Sequence, residues 1–291
     1  MEKDKATTNK YLLTGAALII VSAVLFSAAG ALTKSVTATA WMIIFWRGLF
    51  AGILTLIVLV MSGQLLIQLR CLRWPALMAS AFSLLGTIAF IPAFQMTSVA
   101  KVALIYATVP FMAAALGWAA LGERPARRTA AAAVICFIGV AITFKNASFG
   151  SALAGDALAA FMTVMMAAHM LIFRKYPDTP AGLTSVMSNL LVLPLAWIWI
   201  SPLSIELPQL PLLVLFGAVT AGAFVTLSQG AKALPASLTA LLSILETPLA
   251  PIWAWFILSE IPSNATLIGG AVIMFAVLYA LYQPPKALIP R

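Results

Sequence analysis

Ten apolar stretches, each close to the length that crosses a bilayer, fill almost all of this 291-residue chain. A helical span needs about 20 mostly apolar residues to cross a hydrocarbon core of roughly 30 Å. Charges, prolines and glycines divide the chain into candidates at 12–33, 40–61, 74–96, 99–121, 127–145, 155–174, 182–201, 208–230, 236–258 and 264–283. The runs are continuously apolar, whereas the strands of a membrane barrel alternate and are only about 10 residues long. Helices also satisfy their own backbone groups in lipid, which a lone strand cannot do. Charged residues make up 9% of the chain and apolar residues 63%, against about 25% and roughly 45–50% in soluble domains. So few charges cannot clothe a water-facing surface, which argues against a soluble enzyme, a disordered protein and a nucleic-acid binder. The expected fold is an all-α integral membrane protein with ten transmembrane helices.

The first run, Tyr11 to about Thr33, exceeds the apolar core of a cleavable signal, about 7–15 residues, and reads as a retained first span. Cys71 and Cys136 lie in a basic connection and an apolar run, and suggest neither a disulfide framework nor a metal site.

The net charge of +9 has a pattern. If the N-terminus is cytoplasmic, that side carries Lys3, Lys5, Lys10, Arg70, Arg73, Arg124, Arg127 and Arg128 from the first half. The second half adds Arg174, Lys175, Lys232, Lys286 and Arg291, leaving only Lys34, Lys101 and Lys145 outside and Arg47 within a span. Lysine and arginine in short loops set orientation, so both termini are expected on the cytoplasmic side of an inner (plasma) membrane.

The chain also repeats itself. At an offset of 138, Pro110 falls over Pro248; at 137, Glu123-Arg124-Pro125 falls over Glu260-Ile261-Pro262; at 140, Gly15 falls over Gly155 and Lys34 over Arg174. Two homologous five-span repeats are therefore expected, at about 1–145 and 150–291. Five is odd, so the second inserts upside-down relative to the first. Inverted repeats of this kind build secondary transporters, with the solute site between the halves near mid-membrane.

The helix of Pro110 running into Leu121-Gly122-Glu123-Arg124-Pro125, its partner Glu246-Thr247-Pro248 running into Leu258-Ser259-Glu260-Ile261-Pro262, and the arginine of Phe45-Trp46-Arg47-Gly48 carry a resemblance. The chain resembles the drug/metabolite transporter superfamily in its ten-helix form, built from two EamA-type repeats. The second copy departs from the Gly-Glu-Arg-Pro element at Ser259 and Ile261. The resemblance implies movement of solutes, commonly export of amino acids, metabolites or drugs, through a cavity between the halves. One branch of that superfamily exports aromatic and other amino acids.

Depth selects candidate site residues, because ionisable groups in hydrocarbon are costly and usually face a cavity or a partner. Glu246 comes ten residues after Ala236, about 15 Å into its span; it is placed to take up a proton or to meet a substrate amine, or else to bond a neighbouring helix as a neutral acid. His169, the single histidine, is a titratable group near neutral pH or an interhelical hydrogen-bonder. Arg47 offers a carboxylate site, while the resemblance implies a structural anchor. Gln95, Asn189, Ser228 and Gln229 are hydrogen-bonders for a zwitterion or bridges between helices. Tyr106 and Trp118 are candidate walls for an apolar or aromatic substrate, with the interfacial aromatic belt as the alternative. Pro110 and Pro248 read as matched mid-helix kinks and candidate hinges. Lys34 and Lys101 read as span-end residues snorkelling to the interface, and Asp156 as a carboxylate at a helix N-terminus.

No Gly-xxxx-Gly-Lys-Ser/Thr loop is present, and neither His-Glu-xx-His nor Gly-x-Ser-x-Gly occurs, so neither an ATP motor nor a common hydrolase is indicated. No catalytic residue, metal site, cofactor or nucleic-acid partner is expected. The expected partners are a small-molecule substrate and the lipid bilayer. The functional expectation is a secondary exporter of small metabolites, amino acids foremost, working by alternating access through a central cavity. Export of drugs or other metabolites, or an intramembrane enzyme acting on lipids, is the competing reading. Proton coupling, with Glu246 and His169 as the groups placed to serve it, and the oligomeric state are left open.

Overall fold

The computed structural model describes residues 2–122, 127–144, 151–233, 242–243 and 245–281. Glu123, Arg124, Pro125, Lys145, most of the ninth span before Glu246, Lys286 and Arg291 lie outside the described residues, as do the side chains of Pro110 and Lys232. The described residues form helices joined by short connections and hold no strand. Seven helical segments are long and apolar enough to cross a bilayer: Leu13–Ser35, Ala40–Met61, Trp74–Met96, Val99–Ala120, Ala152–Lys175, Ala181–Trp199 and Leu207–Ala231. They coincide with expected spans one to four and six to eight. Shorter apolar helices at Ala130–Ile142 and Asn264–Tyr279 fall in the fifth and tenth. This is an all-α, multi-pass membrane protein.

In chain order the helices are α1 (Glu2–Ser27), α2 (Ala29–Ser35), α3 (Ala40–Met61), α4 (Leu65–Arg70), α5 (Trp74–Met96), α6 (Val99–Tyr106) and α7 (Val109–Leu121). There follow α8 (Arg127–Phe144), α9 (Ser151–Lys175), α10 (Ala181–Trp199), α11 (Leu210–Ala233), α12 (Glu246–Leu258) and α13 (Asn264–Leu281). The most extensive helix contacts join α5 to α9, α8 to α13, α1 to α11, α3 to α10 and α3 to α11. Each of these seams pairs a helix from 1–145 with one from 150–291, so the two segments interleave.

Small residues make the seams close, as helix association in lipid requires. A β-carbon on Gly48 would stand 2.8 Å from the Asn189 carbonyl oxygen, and one on Gly139 would stand 2.9 Å from that of Gly269. Gly155 meets Met96 at 2.8 Å in the α5–α9 seam, and Gly230 meets the Gly15 carbonyl oxygen at 2.9 Å in the α1–α11 seam. Trp41 stacks on Trp199 and the Trp46 indole N–H donates to the Pro202 carbonyl at 3.1 Å, which ties α3 to the end of α10 through groups suited to a wet, apolar boundary.

Two helices end alike. Gly122 caps α7 with φ +70°, and Ser259 caps α12 with φ +54°. The motif alignment places these residues over one another. Ser259 is the sole non-glycine residue at positive φ among those described, a conformation that crowds an L side chain. Its strain has a use, because the turn carries Glu260 back toward the bundle, with the Glu260 N–H donating to the Ala254 carbonyl at 3.2 Å. Ser259→Gly should therefore raise stability by about 0.5–1 kcal/mol, read as a higher melting temperature in detergent.

Candidate functional site

Three spans are interrupted where they approach one another. The first stops at Ser27 and resumes at Ala29, the fourth stops at Tyr106 and resumes at Val109, and α12 starts at Glu246 after a turn at Leu245. The prolines explain two of the breaks. Pro110 is the second residue of α7 and Pro248 the third of α12. Proline has no N–H to donate and its ring meets the preceding turn, so it is tolerated where a helix begins and disruptive inside one. The expected kinks take the form of breaks, with each proline in the first turn of a new segment. At the first span the Ser27 hydroxyl donates back to the Val24 carbonyl at 2.7 Å and accepts from the Trp253 indole N–H at 3.0 Å, linking this break to α12.

Between the breaks lies a largely enclosed cavity of about 30 Å³. Phe26, Ser27 and Gly30 line it from the first span, Phe90 and Phe94 from α5, and Val102, Ala103 and Tyr106 from α6. Met162 of α9 and Glu246, Thr247 and Ala250 of α12 complete it. Glu246 is the one carboxylate in the lining; Ser27, Tyr106 and Thr247 bring hydroxyls, and the rest is aromatic or aliphatic. Phe90 packs on Phe94 at 4.7 Å between ring centroids, and Phe26 meets Phe224 edge-on at 5.1 Å. A space of this size holds on the order of one or two waters, so a solute enters only when the lining spans part.

One end of the cavity is shut in two layers. Gly30 lets the Phe94 ring and Val99 close over the first span; a β-carbon there would lie 2.9 Å from Phe94 Cδ1 and from Val99 Cγ1. Beyond this plug, Lys34 Nζ pairs with Glu260 Oε2 at 2.8 Å, while Glu260 Oε1 accepts the Val99 N–H, also at 2.8 Å. Beside it, Lys101 Nζ lies 3.3 Å from Asp156 Oδ2, and the Thr97 hydroxyl donates to Asp156 Oδ1 at 2.8 Å. These two clusters tie together the same five spans that line the cavity. Lys34 and Lys101 thus hold partners instead of snorkelling alone, and Asp156 is bound by side chains from two other helices. Span-end position alone hid these pairings, because the partners lie 226 and 55 residues away.

Of the residues singled out by sequence, Glu246 and Tyr106 meet in the cavity. The others are placed elsewhere. His169 Nδ1–H donates to the Ala79 carbonyl at 2.9 Å and its ring meets Phe173, which binds α9 to α5. Gln95 is exposed and donates to the Ala38 carbonyl at 3.0 Å, at the end of α5. Trp118 is 57% exposed on the outside of α7. Ser228 is half-buried and Gln229 exposed on α11, and neither lines the cavity. Asn189 Nδ2–H donates to the Ser185 carbonyl within its own helix. Phe26, Ser27, Phe90, Phe94 and Met162 escaped the sequence reading, because a phenylalanine facing a cavity and one facing lipid look the same in an apolar run.

Discontinuous helices that meet inside the bilayer frame the solute sites of many secondary transporters, and here they meet at the half-buried Glu246. The EamA-like transporter family matches residues 13–145. Over those residues the chain is similar to that family. One solved crystal structure superimposes with a TM-score of 0.67 over 91% of this chain and 96% of that chain, at 18% sequence identity. It is one of 17 matching chains of solved structures, and at that identity the likeness carries the fold. No curated protein matches the chain. The seven long apolar helices support a multi-pass membrane protein, and the likeness of residues 13–145 points to movement of small molecules.

Proposed function

We propose that the protein is a secondary exporter of small amine-bearing metabolites, amino acids foremost, working by alternating access. The observation that carries this is Glu246, a carboxylate at the break of α12 inside an enclosed cavity walled by Phe26, Phe90, Phe94 and Tyr106. A carboxylate in such surroundings favours a cationic amine, and the rings favour an apolar or aromatic body. The closed end is the extracellular one on the charge bias of the loops, which also puts both termini in the cytoplasm of an inner (plasma) membrane. A proton, where the cycle uses one, is carried by Glu246; His169 is committed to the α5 backbone.

The two-repeat organisation, 1–145 and 150–291, supports the same reading. Exchanging spans one to five with six to ten turns the α5–α9 seam into α1–α11 and leaves α3–α10 and α8–α13 unchanged. The aligned glycines Gly15 and Gly155 fall in exchanged seams. Because the strongest seams cross between the repeats, the moving bodies each draw helices from both, and neither repeat rocks as a unit. Pro110 and Pro248, each just past a break, are where the bending falls.

Purified protein in liposomes should exchange labelled phenylalanine or another amino acid against unlabelled internal solute, with no added ATP. Counterflow of cationic drugs but of no amino acid would replace the substrate class and keep the transporter. Chemical turnover of a lipid without vectorial flux would overturn the whole proposal.

A further inference from the structure

Arg47 is a buried charge outside the cavity lining. It is 7% exposed on α3, and its Nε and Nη2 have no hydrogen-bond partner among the described residues. Buried polar groups nearly always find partners, and a buried charge is costly unless paired. Asp156 shows the usual solution, with Thr97 and Lys101 on its two oxygens. Arg47 has instead two aromatic rings, with its guanidinium carbon 5.5 Å from the Phe216 centroid and 6.0 Å from that of Phe90. Rings attract the cation through their faces, yet they leave the planar fork of N–H donors unfilled. That fork matches a carboxylate in geometry and charge. No acid among the described residues pairs with it. Asp156 and Glu260 are engaged elsewhere, Asp178 and Glu206 lie in exposed connections, and Glu246 lines the cavity.

Phe90 belongs to both places. Its ring carries the Arg47 guanidinium and also walls the cavity that holds Glu246 and Tyr106. We propose that Arg47 is the carboxylate-binding subsite of the solute cavity, screened from it in this structure by the Phe90 ring. A change of the Phe90 rotamer joins the guanidinium to the cavity, which then offers a cation at one side and a carboxylate at the other. Such a cavity prefers a zwitterion to the corresponding amine, amide or free acid. This rests on the reading of the cavity as a solute site.

Ligand-induced thermal shifts of the purified protein test the subsite without transport. The probes are 3-phenylpropionate, which has only the carboxylate, phenylalanine amide, which has only the amine, and sodium chloride set against sucrose of equal osmolality. Wild type should be stabilised by 3-phenylpropionate at concentrations about tenfold lower than Arg47→Gln requires, the loss of one charged hydrogen-bonding partner. Arg47→Lys should fall between them, and phenylalanine amide should act alike on all three. Phe90→Leu, which keeps Arg47 and removes the screen, should respond to less 3-phenylpropionate than wild type; this variant decides the matter if Arg47→Gln does not fold. An unchanged response in Arg47→Gln, no response of wild type to any carboxylate, or no gain in Phe90→Leu would overturn the subsite. Chloride acting as strongly as 3-phenylpropionate would also overturn it, in favour of an inorganic ion. Carboxylate-dependent stabilisation in a protein that moves no solute in liposomes would sink the export reading and leave the subsite standing.

Discussion

Glutamine in place of Glu246 is expected to cut transport of amine-bearing solutes roughly 100-fold while leaving the protein folded. The substitution keeps the size of the side chain and its ability to hydrogen-bond at the first residue of α12, and removes only the charge. In water that loss would be softened by solvent. In a cavity of about 30 Å³ walled by phenylalanines there is little solvent to compensate, and an unmatched ammonium is expensive. Initial rates in liposomes measure the effect, with an unaltered size-exclusion profile as the check on folding. If the carboxylate also carries a proton, the remaining activity should lose its dependence on an imposed pH gradient. Equal transport by the variant and wild type at every pH would remove Glu246 from both binding and coupling.

The second large effect is expected at Lys101. Its partner Asp156 has a side chain with 0% exposure, whereas Glu260, the partner of Lys34, is 20% exposed and keeps a backbone N–H from Val99. Lys101→Met leaves a carboxylate buried with only the Thr97 hydroxyl, and should cost about 3–5 kcal/mol. Lys34→Met removes a better-solvated pair and should cost about 0–1 kcal/mol. Melting in detergent should separate the two variants clearly. Adding Asp156→Asn to Lys101→Met should recover much of the loss, because the double change removes the stranded charge, and a double-mutant cycle then isolates the coupling. Similar melting points for Lys101→Met and Lys34→Met would show that burial does not set the strength of this closure.

The fold was legible in the sequence because lipid allows so few solutions. Continuous apolar runs of bilayer length admit little besides helices, and the runs agree with the seven long helices and with the shorter ones at Ala130–Ile142 and Asn264–Tyr279. The lining of the candidate cavity was legible in part. Glu246 stood out by depth, and it meets Tyr106 in the cavity. What sequence could not supply was azimuth: Trp118 and Tyr106 lie twelve residues apart on one span, yet one faces outward and the other inward. A run that is apolar all round gives no periodicity from which to read a facing direction. Long-range pairings were hidden for a related reason. Lys34 looked like a residue reaching for water, and only folding brings Glu260 beside it.

The interleaving of the two segments sets an order of events during synthesis. When spans one to five have left the ribosome, the surfaces of α1, α3, α5 and α8 that will take part in the main seams have no partners yet, since those partners belong to α9, α10, α11 and α13. The nascent first half must wait in the bilayer or at the translocon with Arg47 and Lys101 unsheltered. Maturation of such a chain is therefore a late, concerted event, and a ribosome that stalls before span eight leaves behind an orphan that quality control can recognise by its uncovered charges.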